Sequence, residues 1–131
     1  MSGAAELIAA ALAARTHAHA PYSKFKVGAA LEASDGRIFT GCNIESSSYG
    51  LTMCAERVAL FKAISEGATT FRRMALAADS PQLTPPCGAC RQVLRDHCEE
   101  LEVVLCNSRG ESNAVLLSEL FPNPFHDKLF T

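Results

Sequence analysis

Residues 72–107 read RRMALAADSPQLTPPCGACRQVLRDHCEELEVVLCN, and the order of their elements decides the fold. RRMALAAD (72–79) has strand character, with Met74, Leu76 and Ala78 on one alternating face. Pro81, Pro85 and Pro86 then break the chain into a loop. Residues 87–98 predict a helix, and LEVVLCN (101–107) predicts a strand of the continuously apolar, buried type. Two strands joined through a helix form a right-handed crossover and lie parallel. That unit makes the chain α/β.

On the N-terminal side, residues 54–66 predict a helix stopped by Gly67. A polar loop, IESSSYG (44–50), precedes it. FKVGAALEASDGRIFTGCN (25–43) holds two strand-like runs around Asp35-Gly36, a hairpin signal. Residues 4–18, rich in Ala and Leu, predict a helix whose reach Pro21 ends. On the C-terminal side, Asn107 to Gly110 reads as a turn. LLSELF (116–121) reads as a short helix with Ser118 as its cap, followed by a proline-interrupted tail. The expected architecture is a mixed sheet whose first pair is antiparallel, with helices packed against it.

Composition narrows the function classes. A chain of 131 residues is expected to be one domain, 1–131, with enough buried surface to fold without disulfides. A formal charge of −2 with no basic stripe argues against a nucleic-acid partner. No apolar run approaches the ~20 residues of a membrane span. The first residues lack a basic n-region and carry Glu6, so they read as an amphipathic helix rather than a signal peptide. The expected compartment is the cytoplasm, where the six cysteines stay reduced.

Three of those cysteines carry the chemistry. Cys87 and Cys90 are spaced to share a helix face at a helix start, where free amides and the helix dipole favour thiolate. Gly88 between them leaves room for the backbone to approach an ion. Alone, Cys-x-x-Cys reads as a metal site, a redox pair or two buried thiols. Cys54 stands at a second helix start, in TMCAERVALFKAI (52–64), and three thiolates on one zinc leave a tetrahedral position open, the mark of a catalytic site. His17, His19, His97 and His126 stand at no ligand spacing to these cysteines. Cys42, Cys98 and Cys106 read as core filler, although any of them could reach over as a fourth ligand. Glu56 lies two residues after Cys54, an offset that points it about 200° away in a regular helix. With Cys54 at the cap position, both can face one pocket. Glu56 then stands beside the open metal position as a general acid/base.

The Cys-Ala-Glu and Pro-Cys-x-x-Cys segments are similar to the signature of zinc nucleoside and nucleobase deaminases. PYSKFKVGAAL (21–31), GCNIESSSYG (41–50), CAERVALFKAISEG (54–67) and PCGACRQVL (86–94) together resemble the small homotetrameric cytidine deaminases of nucleoside salvage. The resemblance runs from Pro21 to Phe125. It implies a three-layer α/β fold, a mixed sheet of about five strands with helices packed on both faces, and one zinc per chain on Cys54, Cys87 and Cys90. It implies hydrolysis of cytidine and deoxycytidine to uridine and deoxyuridine with loss of ammonia. Hydroxide would add at C4 while Glu56 moves protons to ring N3 and to the departing amine. Arg57 would lie against the ligand sulfurs and offset the charge of three thiolates on a dication.

The same resemblance assigns Asn43 and Glu45 to the ribose, chiefly its 3′-hydroxyl, Phe25 to the pyrimidine, and the Ala55 backbone to the base. Tyr49 closes the matching loop. Phe125 would reach a neighbouring subunit's site in a homotetramer, within a tail that also carries Phe121 and Phe130. Ser46–Ser48, Met53 and Phe121 depart from the usual spelling, away from the metal set. Two other expectations stand beside this one: a deaminase of another aminopyrimidine nucleoside, of blasticidin-S type, and a non-catalytic zinc module closed by Cys42, Cys98 or Cys106.

Overall fold

A computed structural model of the chain describes residues 3–126; Phe130 lies outside them. Helix α1 (Ala4–Arg15) buries Leu7, Ala11 and Ala14 along one stripe, and Glu6 and Arg15 complement the helix dipole at its two ends. It ends three residues before the expected Ala18. His17 and Ala18 instead donate to the carbonyls of Ala14 and Arg15, tight i−3 bonds that close the helix. His19 then pairs with the chain beyond β2: its N–H donates to the Asn43 carbonyl, and its carbonyl accepts from Glu45.

Strands β1 (Val27–Ala33) and β2 (Ile38–Cys42) form the expected hairpin, with Gly28 opposite Cys42 and Glu32 opposite Ile38. Gly36 takes φ 95° in the turn, where a side chain would be strained. Helix α2 (Ala55–Ser65) follows a single 3₁₀ turn at Tyr49–Leu51, and Gly67 at φ 94° ends its reach as expected. Strand β3 (Phe71–Ala78), helix α3 (Gly88–His97) and strand β4 (Glu102–Cys106) form the strand–helix–strand unit, and β3 and β4 are parallel.

Strand β5 (Ser112–Leu116) is the element with no counterpart in the sequence reading. It is an edge strand, mostly exposed, and its residues do not alternate cleanly. Pairing with β4, from Cys106–Ser112 to Glu102–Leu116, makes it a strand. Helix α4 is only Leu117–Leu120, and Ser118 is not its cap. Glu119 Oε1 accepts from the Leu116 N–H, while Ser118 donates its N–H and its hydroxyl to the Glu100 carboxylate.

The five strands run β2-β1-β3-β4-β5, antiparallel except for β3–β4, with helices on both faces, so the layering is the expected one. On one face Leu7 and Ala11 of α1 pack on Ala30, Ala75, Ala77 and Val104. On the other, α2 and α3 bring Leu60 and Leu94 to Leu31, Phe39, Met74 and Leu76. Both faces of β3 are therefore covered, which is why Met74–Ala78 is buried without alternation. No described helix is long and apolar enough to cross a membrane.

Glycines set how closely the layers approach. A Cβ on Gly28 would stand 2.0 Å from the Ala11 carbonyl oxygen of α1. One on Gly41 would stand 2.5 Å from both the Ala55 carbonyl oxygen and the Ala59 nitrogen of α2. Gly41→Ala is thus expected to lift α2 from the sheet at the turn that carries Cys54 and Glu56. The overpacking cost should be about 1–3 kcal/mol, visible in denaturant midpoints, with metal retention falling alongside. An unchanged midpoint would contradict this close helix–sheet contact.

Candidate active site

Two helix starts build the centre of the site. Cys54 is the N-cap of α2 (φ −75°, ψ 153°) and Cys87 the N-cap of α3 (φ −67°, ψ 169°). Cys90 sits in the first turn of α3, fully buried. The three sulfurs lie within 4.8 Å of one another, with Cys87–Cys90 at 3.5 Å and Cys54–Cys87 at 4.0 Å. Sulfurs bound tetrahedrally to one zinc at ~2.3 Å stand about 3.8 Å apart, so the trio fits that ion. Among the described residues no fourth His, Cys, Asp or Glu joins the cluster. The Cys106 thiol donates to the Leu76 carbonyl, and Cys98 is buried at the end of α3, its thiol pushed up to about 12 by burial. A Cβ on Gly88 would meet nothing within 4 Å, so the protein's own packing does not require glycine there.

The thiols share charge unequally. A hydrogen bond from Cys90, together with the Arg57 guanidinium, lowers the Cys54 thiol to about 5, while Cys90 is driven upward by the Cys54 thiolate and by burial. The Arg57 Nη2 donates to Cys54 Sγ at 3.2 Å, so this arginine lies against a sulfur as expected. Its Nε is buried and makes no hydrogen bond among the described residues.

Since Cys54 caps α2 outside helical geometry, Glu56 falls in the first turn of α2 and lines the same cleft as Cys54 and Cys87. It is 5 % exposed, and burial raises its carboxyl above the usual range. The cleft, about 240 Å³, also has Phe25, Asn43, Glu45 and Ala55 in its walls. Metal thiols and Glu56 thus stand in one opening with the two polar residues beyond β2. Asn43 is buried; its Oδ1 accepts from the Val27 N–H at 2.9 Å and its Nδ2 donates to the Phe25 carbonyl at 2.7 Å. One amide proton and one lone pair of Asn43 stay uncommitted by these bonds.

Two expected site residues lie apart from this cleft. Tyr49 is 75 % exposed, stacks edge-on against Tyr22 at 5.9 Å, and lines an adjoining depression shared with Ser23 and Glu45. Phe125 is 55 % exposed, with its carbonyl held by Gln92 Nε2 at 2.8 Å. Ser23, Thr52 and Thr84 line the cleft without having been singled out from sequence. Ser23 was readable only as a hydroxyl two residues before Phe25.

The family model described as "Cytidine and deoxycytidylate deaminase zinc-binding region" matches residues 1–107. The chain belongs to this family, and zinc is its cofactor. Relatives named cytidine deaminase include one from Halalkalibacterium halodurans, 50% identical over 120 residues, covering 91% of each chain. Another, from Sporosarcina psychrophila, is 48% identical over 121 residues, covering 92% of this chain and 89% of that one. The crystal structure of cytidine deaminase from Burkholderia pseudomallei superposes with a TM-score of 0.90 at 48% identity, over 95% of this chain and 100% of that one. That structure shares the fold described above.

Proposed function

We propose that the chain is a one-domain cytoplasmic enzyme of pyrimidine salvage that hydrolyses cytidine and deoxycytidine to uridine and deoxyuridine, releasing ammonia. The observation that carries this reading is the convergence of three cysteine thiols beside a buried carboxylate, in a cleft whose other end offers Asn43 and Glu45. Relatives of about half-identical sequence named cytidine deaminase support it. Cys54, Cys87 and Cys90 hold the zinc. Bound there, zinc would supply the Lewis acidity that makes a water molecule acidic near neutral pH.

Glu56 takes a proton from the attacking water and delivers it to ring N3, which makes C4 electrophilic; it then takes the remaining proton from the O–H of the tetrahedral adduct and gives it to the amine, which leaves as ammonia. Arg57 offsets the negative charge gathered by the thiolates. Phe25 and the Ala55 backbone border the pyrimidine, and Asn43 and Glu45 hold the sugar, with Glu45 accepting its 3′-hydroxyl. Tyr49 closes the loop beside them. A screen of the zinc-replete protein over cytidine, deoxycytidine, cytosine and an aminoacyl-nucleoside antibiotic tests the substrate class. Ammonia should appear with the two nucleosides. Turnover confined to the antibiotic would overturn the assignment.

Phe125 completes the site from a second copy, in a homotetramer with four composite sites. Its exposure, and its place outside its own chain's cleft, support this arrangement. Stacking on a base is worth roughly 1–3 kcal/mol by alanine substitution, so Phe125→Ala should weaken substrate binding about 5- to 150-fold with zinc retained. Mixing inactive Glu56→Gln chains with Phe125→Ala chains should restore some sites of normal affinity. No rescue after proven subunit exchange would refute action across the interface.

A further inference from the structure

Resting on the reading that Glu45 accepts the sugar 3′-hydroxyl, we propose that Ser23 is the positioning residue that aims Glu45 at that hydroxyl. Glu45 lies beyond the end of β2, on chain paired through isolated bridges at Ile44 rather than within a strand. A carboxylate on such a stretch has rotamer freedom that would blur its aim. The segment preceding β1 removes that freedom. The N–H groups of Tyr22 and Ser23 donate to Glu45 Oε1 at 2.9 and 3.1 Å, and the Ser23 hydroxyl donates to Oε2.

A carboxylate offers about four acceptor sites. These bonds occupy both on Oε1 and one on Oε2, which leaves a single acceptor site, on Oε2, for one sugar hydroxyl. The Ser23 bond decides where that site points. Ser23 Oγ also accepts the Phe25 N–H at 3.0 Å, so its own proton is committed to Glu45. Between the two stands Lys24 at φ 62°, the one non-glycine residue with positive φ among those described. That left-handed step turns the Phe25 N–H back onto the Ser23 hydroxyl. Asn43 pins the other side of the same segment through Val27 and Phe25. Ser23 Oγ thereby joins a sugar-side group, Glu45, to a base-side one, Phe25. Its hydrogen bond also holds the Glu45 carboxyl below its ordinary range, in the acceptor form.

A loop stitch alone would serve the fold without favouring any substrate atom, so the test compares nucleosides with and without the 3′-hydroxyl. Steady-state kinetics of the zinc-loaded protein are measured with cytidine and 3′-deoxycytidine for the wild type, Ser23→Ala, Glu45→Ala and the double variant. For Ser23→Ala, KM for cytidine should rise about 5- to 20-fold with kcat within about two-fold. Its kcat/KM for 3′-deoxycytidine should move by less than about two-fold, since the interaction at stake is missing there. In the Glu45→Ala background, Ser23→Ala should add nothing.

An unchanged cytidine KM, an equal loss with both nucleosides, or an additive loss in the double variant overturns the role of Ser23. When Glu45→Ala loses efficiency with cytidine but not with 3′-deoxycytidine, so that the preference for the 3′-hydroxyl disappears, those results overturn Ser23 alone. A Glu45→Ala variant that loses both nucleosides equally overturns the sugar reading itself and the Ser23 inference with it.

Discussion

Glu56→Gln is expected to give a folded, zinc-loaded protein whose turnover falls by at least roughly 10²–10⁴-fold, the usual worth of one positioned proton-transfer group. The substitution is nearly isosteric at a residue 5 % exposed in the first turn of α2, so packing there is kept. Glu56 is outside the sulfur trio, so metal content should hold. An amide can neither pass the proton of the attacking water to N3 nor pass the adduct's O–H proton to the amine. The loss should therefore appear in kcat, with substrate still bound. Metal analysis, circular dichroism and single-turnover assays read the three parts separately. A variant retaining more than about a tenth of the rate would have lost only ~1.4 kcal/mol, too little for a group that serves several transfers.

Cys87→Ala should abolish zinc binding and activity together. Cys87 is exposed at the N-cap of α3, so its side chain contributes little to the apolar core. A fall in stability in this variant therefore reports the missing ion, since metal that binds only the folded chain adds its binding free energy to folding. Titrating a chelator into the wild type should reproduce the same fall. Cys42→Ala is the contrast: Cys42 ends β2, outside the sulfur cluster, and its loss should leave zinc content unchanged. Full metal and normal turnover in Cys87→Ala would remove it from the ligand set.

The parallel β3–β4 pair was legible in the sequence because an apolar run, a proline-bounded loop, a helix and a second apolar run follow in order. The hairpin was legible in Asp35-Gly36, and Gly36 does take positive φ. The end of α1 was not, because Thr16 to Ala18 have no helix breaker among them. What stops the helix is the pairing of His19 with the chain after β2, a contact set by tertiary structure. Strand β5 was hidden for a similar reason: SNAVL carries no strong period, and the edge of β4 imposes its conformation.

In the site, the helix starts at Cys54 and Cys87 were legible in the local sequence, and the shared opening of Cys54 and Glu56 was expected on the condition that Cys54 sits at the cap, where the structure places it. The hydrogen bonds of Glu45 did not. They join residues 22 or 23 apart in the chain, and no spacing rule reports which hydroxyl or amide will meet a given carboxylate.

The two readings of the metal differ in one countable feature. A catalytic centre has three cysteine sulfurs and a position open to water, whereas a structural module recruits a fourth thiol from Cys42, Cys98 or Cys106. X-ray absorption at the zinc edge of the purified protein counts them directly. Three sulfur neighbours at about 2.3 Å with one oxygen or nitrogen is the expected result; four sulfurs would contradict a hydrolytic site.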